Sequence, residues 1–504
     1  MKTKNLFLGM LAGLFMVACA NEDVPTPADN NMVANADEQY VGVKFSMDGN
    51  PSSRALGGFA NGTAAEVAVN KATFFFLASD GSVAADPYTI AGDKISWTAS
   101  NAESVDQESA AIVVIRNAVK NPASIVVVLN SPETYTQGLT LAQLEAKQGT
   151  NFNAETKNNF VMTNSVYADG NKKVLATPIT DANIKTSEEA ALAPGAAVVV
   201  PVERVLAKVT FDKGNVAGQE TIKLDPTSSS VEGTSTTVDV VIKGWNLSYT
   251  NDNSYLFKNV DPAWTYDWWN DASNKRSYWA ISANPVNGYG LHPWPADVPT
   301  NGLYCQENTT AEVGDRTKVV VSAELQVNGT PTTILRYNGA YYTVENFKKA
   351  VVAVNSKLQV IENGTPRDLK AEDLVLEYNT ATGDPVYVSA SSTDPIKDYQ
   401  ALVTLKDGLT SDDLATLRSI VVLFWNEGKT YFYTDIAHEG GLYGVVRNHL
   451  YNLTLTEVVG LGTPVTDPDK PIDPEKPDPE DESYIAAQIQ ILKYKVVTQN
   501  VTLN

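Results

Sequence analysis

The feature that most constrains this chain lies near its C-terminal end, where residues 464–482 read PVTDPDKPIDPEKPDPEDE and an alternating apolar run follows. Repeated prolines remove backbone donors and the carboxylates repel one another, so 464–483 is expected to be an extended, solvated linker. At about 3.1 Å per residue its reach is roughly 60 Å. The aspartates lack the glycine turn and terminal glutamate of an EF-hand loop, so no metal is assigned to them. Beyond the linker, Ile485, Ala487, Ile489 and Ile491 fall on one face of a strand, and Val497, Val501 and Leu503 continue on a second strand-like run. An amphipathic strand on such an arm is not stable alone. It must complete a sheet edge, and the rest of the chain must be of a kind that offers one.

The rest reads as β-rich. Short alternating or continuous apolar runs recur at 72–78, 112–115, 125–129, 197–202 and 205–211, then at 237–247, 317–327, 332–337, 401–405, 420–425 and 451–459. The unbroken Ile125-Val126-Val127-Val128-Leu129 predicts a strand buried on both faces. Helices are expected only at 140–147, with Thr140 as cap, and at 344–352 and 411–418. At 504 residues and 43% hydrophobic the chain has material for two cores. The turn to Gly, Asp, Pro, Thr and Ser at 212–230 is where a domain boundary is expected. A net charge of −21 argues against nucleic acid or anionic headgroups as partners, since both require a basic face.

The opposite end carries an export signal. Lys2 and Lys4 precede an apolar run from Leu6 to Ala18, and small Ala18 stands directly before Cys19. This is a signal peptide with a lipobox-like end. The run is shorter than the ~20 apolar residues a spanning helix takes, so membrane attachment is expected only through acyl chains on Cys19 of a precursor. Cys305 is the one other cysteine, and no intrachain disulfide is expected. After a polar tether at 20–36, Val41, Val43, Phe45 and Met47 alternate on one face of a strand lying upstream of Arg54, in Ser52-Ser53-Arg54-Ala55.

Enzymatic chemistry finds little purchase. The three histidines are His292, His438 and His449, and His438-Glu439 lacks the second histidine of a zinc-protease helix. Asp267, within an aromatic belt of Trp264, Tyr266, Trp268, Trp269, Tyr278 and Trp279, and Glu307, beside Cys305, are the rival reading, a carboxylate pair in a sugar cleft. Aromatic clusters in β-sandwiches more often fill cores or interfaces, and Cys305 reads as a buried small hydrophobe. No catalytic residue, cofactor or metal is assigned.

A set of short motifs adds a resemblance. They are Phe160-Val161-Met162-Thr163-Asn164-Ser165 and Val202-Glu203-Arg204-Val205-Leu206-Ala207-Lys208-Val209, then Gly244-Trp245-Asn246-Leu247 and Arg276-Ser277-Tyr278-Trp279-Ala280, then Tyr304-Cys305-Gln306-Glu307-Asn308-Thr309 and Val446-Arg447-Asn448-His449-Leu450-Tyr451. In their order and spacing the chain resembles the fimbrillins of Bacteroidales, with the stalk subunit of the minor, short fimbriae the nearer match. The resemblance implies an all-β fold with minor helices: two transthyretin-like β-sandwich domains plus a C-terminal donor-strand tail. The expected divisions are 1–19 signal peptide and lipobox, 20–54 propeptide with a removable strand, 55–215 and 216–463 the two domains, 464–483 linker and 484–504 donor strand.

It further implies a lipoprotein precursor that passes through the periplasm to the outer membrane. An arginine-specific protease would cut between Arg54 and Ala55, and the strand bearing Val41, Val43, Phe45 and Met47 would leave. The tail of a neighbouring copy would fill the slot, giving a homopolymer on the cell surface with anchor and tip fimbrial proteins as further partners. The alternative is a monomeric surface lipoprotein that binds glycans and keeps its tail on its own sheet.

Overall fold

The computed structural model describes residues 40–46, 62–91, 96–98, 110–116, 122–153, 160–169, 172–193, 195–214, 218–223, 235–260, 279–337, 339–354, 359–377, 402–405, 423–438, 441–465, 467–474, 484–492 and 498–500. Strands dominate it, as the period-2 patterning dictates. The N-terminal half supplies β1 (Tyr40–Ser46), β2 (Lys71–Leu77), β3 (Tyr88–Ala91), β4 (Ser96–Thr98), β5 (Ala110–Arg116), β6 (Ser124–Leu129), β7 (Met162–Asn164) and β8 (Val198–Arg204). They follow one hydrogen-bonded path, β3-β2-β6-β7-β8-β1-β5-β4. Strand β8 links two layers: Val202, Glu203 and Arg204 pair antiparallel with β7, whereas Val198 to Pro201 run parallel to β1. The core between the layers holds Val43, Phe45, Phe74, Phe76, Val127, Met162 and Val200.

The continuous apolar strands are buried on both faces. Ile125, Val127 and Leu129 of β6 enter this core, while Val126 and Val128 enter a second cluster on the opposite side. Strand β2 divides in the same way, Phe74 and Phe76 inward, Phe75 and Leu77 outward. A helix α1 (Ala64–Val67) precedes β2, and α2 (Leu141–Ala146) begins at Thr140, whose hydroxyl accepts from the Gln143 backbone in a reciprocal capping box. A further short helix, α3 (Glu188–Leu192), lies before β8.

The C-terminal half is a second two-layer body. One layer orders β12 (Leu303–Cys305), β9 (Ala207–Asp212), β15 (Leu450–Val459), β18 (Tyr484–Leu492) and β19 (Thr498–Asn500). The other orders β10 (Gly218–Lys223), β11 (Ser235–Ser248), β13 (Lys318–Val327), β14 (Lys429–Asp435) and β16 (Thr463–Pro464). Between them pack Val209, Trp245, Val321, Phe432, Tyr451 and Leu453. A side lobe between β13 and β14 builds a small core of its own from Leu335, Phe347, Val351 and Phe424, with α4 (Val344–Val354) over it. The helix expected at 411–418 falls outside the described residues.

Two expected divisions move. The boundary anticipated at 215 lies between Arg204 and Ala207, because β9 alternates its burial and sends Ala207, Val209 and Phe211 into the C-terminal core. The polar stretch at 212–230 includes β10, which pairs with β11 inside the second body. Composition records that a connection is solvated and not which core the preceding strand joins. The linker expected over 464–483 is docked in its first part. Strand β16 pairs with β14, and β17 (Pro471–Ile472) pairs with His292 and Pro293. Val465 and Ile472 are buried against Val320 and Tyr431, and the Tyr249 hydroxyl donates to the Asp473 carboxylate at 2.6 Å. Prolines suit such an edge because they need no ladder donor. Ile472→Asp should place an unpaired carboxylate in that cluster. Amide exchange over 463–474 then rises sharply while β13 and β14 keep their protection.

Candidate strand-exchange site

The strand predicted to leave is a central strand. Residues Tyr40 to Lys44 of β1 pair antiparallel with β5, and Val43 to Ser46 pair with β8. Val43 and Phe45 are fully buried and Val41 nearly so. Phe45 stacks on Phe74 with ring centroids 5.9 Å apart and planes 18° from parallel. Helix α3 crosses β1 so closely that a Cβ on Gly42 would stand 2.3 Å from the Ala191 carbonyl oxygen. Withdrawal of β1 would therefore uncover core and two facing ladder edges at once, and only another strand satisfies both.

The tail shows a strong asymmetry. Strand β18 lies antiparallel on β15, where Tyr451 faces Ile491, Leu453 faces Ile489, Leu455 faces Ala487 and Val458 faces Ile485 across the ladder. That register sets the apolar series of β18 opposite the residues of β15 that line the C-terminal core. Strand β19, by contrast, has its ladder among the described residues with β18 alone, through Gln488–Asn500, Ile489–Gln499 and Gln490–Thr498. The tail thus sits on its own sheet, the arrangement anticipated for the monomeric alternative. Its inner strand is held by a ladder of nine residue pairs and its outer one by three.

Between the two bodies lies a junction that pattern reading did not single out. Its apolar part joins Phe75, Val126, Val128, Leu144 and Val161 of the first body to Leu256, Phe257, Trp279 and Val446 of the second. Two ion pairs are sealed beside it. Lys258 Nζ meets Glu203 Oε2 at 2.6 Å with both side chains at 0% exposure. Arg447 Nη2 meets Glu307 Oε2 at 2.6 Å, its Nη1 donates to Leu256 O, and its backbone N–H donates to Glu307 Oε1. Burial pushes the Lys258 ammonium below its usual range, against the pull of Glu203 and Glu307. The signal for these pairs was present: Glu203, Glu307 and Arg447 are charges set inside the very motifs that carry the family resemblance.

These contacts dispose of the rival chemistry at the positions they include. Glu307 is 1% exposed and committed to Arg447, so it lines no sugar cleft. Cys305 is buried, and burial alone pushes its thiol up to about 12, far from a nucleophilic thiolate. Trp279 fills the junction core. Among the described residues no cluster of His, Cys, Asp and Glu is arranged to hold a metal. Cys19, Met47, Arg54, Ala55, Val497, Val501 and Leu503 lie outside the described residues, as do Asp267 and the remainder of the aromatic belt.

Comparison with known proteins gives one family match. Residues 423–500, which comprise β14 to β19 and so the tail with the sheet edge that carries it, match the family model described as major fimbrial subunit protein type IV, fimbrillin, C-terminal. No curated protein matches the chain. Among solved structures, a cell adhesion protein of Parabacteroides distasonis ATCC 8503 aligns at 12% identity over 91% of this chain and 98% of its own, with a TM-score of 0.39. A fimbrial assembly protein of the same organism aligns at 12% identity over 58% and 86%, TM-score 0.30. The tip fimbrial protein Mfa3 of Porphyromonas gingivalis, truncated at its C-terminus, aligns at 11% over 90% and 99%, TM-score 0.33. Over β14 to β19, the tail and the sheet edge that carries it, the chain is thus similar to the C-terminal region of fimbrillins.

Proposed function

We propose that this protein is a stalk-type subunit of a cell-surface fimbrium that polymerises by strand exchange after proteolysis. One observation carries the reading: the segment upstream of Arg54 is seated as a central strand, so a cut after it would convert a permanent element of the fold into a removable one. The precursor is exported as a lipoprotein on Cys19. An arginine-specific protease cuts at Arg54, the strand with Val41, Val43, Phe45 and Met47 departs, and a neighbour's tail enters between β8 and β5. Burying three large apolar side chains in the slot contributes roughly 1.5–3 kcal/mol each before ordering costs, alongside two ladders of hydrogen bonds. Head-to-tail transfer does not close on itself and so builds a filament.

The asymmetry of the tail supports the outer run as the part that moves. Releasing β18 would strip the edge of β15 opposite Tyr451, Leu453 and Leu455, whereas releasing the outer run gives up only the short β19 ladder. In this reading Ile485, Ala487, Ile489 and Ile491 stay at home, and the donor is the run with Val497, Val501 and Leu503. Full-length protein treated with an arginine-specific protease should start at Ala55 and form SDS-resistant ladders. Deletion of 493–504 should abolish the ladders and leave a folded monomer. An acylated monomer that starts at Cys19 on native cells would instead support the glycan-binding lipoprotein, a reading that the tail's place on its own sheet favours.

A further inference from the structure

Residues 62–67, the first described residues after the proposed cut, contact both bodies of the protein at once. Residues 62–67 belong in sequence to the first body, yet their contacts reach residues of the second. Glu66 is 2% exposed, and its Oε1 accepts from Lys208 Nζ of β9 at 2.9 Å and from the Tyr304 hydroxyl of β12 at 2.5 Å. Its Oε2 accepts from the Thr63 backbone at 2.6 Å. The Glu66 carbonyl accepts from Arg204 Nε at 2.6 Å, and Arg204 Nη1 in turn donates to Asn448 Oδ1 at 3.0 Å. Tyr304 is held in place by the ring of Phe160, 4.8 Å away between centroids. The Arg204 guanidinium also packs over the start of the site, where a Cβ on Gly62 would lie 2.3 Å from Arg204 Nη2 and would have to displace it.

We infer that Glu66 and its partners Lys208, Tyr304 and Arg204 form a clamp that fixes the retained end of the chain across both domains and sets the limit of what can be removed. The inference rests on the strand-removal reading and adds its downstream boundary. What leaves must include β1, which ends at Ser46; what stays must include the clamp, which begins at Gly62. A productive cut therefore falls within 47–61, and the single basic residue of that interval is Arg54. A cut beyond the clamp would free the slot and loosen the domain junction together. A cut within 47–61 frees the slot alone, leaving a receiving groove that is still rigidly joined to the C-terminal sheet.

The test compares full-length protein with Glu66→Gln. Limited digestion with a broad-specificity protease should leave the native protein with a core that starts before Gly62, whereas the variant should be trimmed to a start near Lys71. Amide exchange at 62–67 and in β12 should rise about tenfold or more in the variant. Acid supplies a readout that simple loss of packing would not move. Burial disfavours the ionised Glu66, but the bonds from Tyr304, Lys208 and Thr63 outweigh it and hold the carboxyl at about 2 instead of 4.5.

The junction's protection from Glu66 is thus complete above pH ~4.5 and lost as pH falls through ~2; in Glu66→Gln that decline is absent. Equal digestion starts and equal acid profiles for the two proteins overturn the clamp. If the glutamine variant does not fold, the digestion start and amide exchange of Lys208→Met are read in the same way. Should the clamp behave as stated while protease-cut native protein forms no ladders, strand exchange fails and the clamp stands.

Discussion

Phe45→Ala is expected to destabilise the uncut protein by about 3–4 kcal/mol and to leave the assembled, cut form unchanged. In the uncut chain the Phe45 ring is fully buried and stacked on Phe74, in a core it shares with Val43, Val127 and Val200. Truncation leaves a cavity in the middle of the first body, where neither layer can collapse without moving β1 off its two ladders. Urea unfolding followed in both forms checks it. If the residues before Ala55 have gone and a neighbour's strand fills the slot, position 45 no longer exists in the polymer and its mutation cannot be felt there. Equal destabilisation of both forms would mean that β1 never leaves. The same variant should release its leading strand faster after cleavage, since fewer apolar contacts retain it.

The second large effect is expected at the junction. Arg447→Met should cost about 3–5 kcal/mol, because it leaves the Glu307 carboxylate buried and unpaired and strips the donor from the Leu256 and Tyr255 carbonyls. The paired replacement of Lys258 by Met and Glu203 by Leu should be far milder, since both charges leave together and apolar groups of similar volume take their place. A double-mutant cycle on that pair separates the coupling from the desolvation. Single loss of Lys258 alone belongs with Arg447→Met, as it strands Glu203. The contrast tests whether these pairs mainly specify how the two bodies dock or mainly stabilise them. Cost confined to the single variants, with a pair near neutral, assigns them to specificity.

Local periodicity was sufficient for much of the fold. The alternation of Val41, Val43 and Phe45 and the unbroken runs at 125–129 and 74–77 each appear as strands with the burial their pattern requires. Thr140 caps the helix it was expected to cap, and the helix expected at 344–352 runs to Val354. Such features depend on neighbours a few residues apart, and a sequence states those directly. The strand-exchange reading rested on the ends of the chain, and its central-strand element emerged from β1 pairing with segments far along the sequence.

Where several partners compete for one segment, the sequence ran out. Ala207, Val209 and Phe211 would suit either core by composition, and only the parallel ladder from β9 to β15 assigns them to the second. The prolines and aspartates of 464–474 predict solvation, yet Val465, Ile472 and the Tyr249–Asp473 bond fasten that stretch to a sheet edge that had no strand of its own. The partners of Glu66, Glu203 and Arg447 lie 142, 55 and 140 residues away, a distance over which no local pattern pairs charges. The sequence by itself determined most of the strands and the likeness of residues 423–500 to fimbrillin C-terminal regions, because apolar period and motif order are local or linear properties. The tertiary structure alone decided which core β9 joins, the sheet edge on which the tail lies and the partners of Glu66, because burial of a charge or choice of a sheet edge depends on which distant segment reaches it first and excludes water.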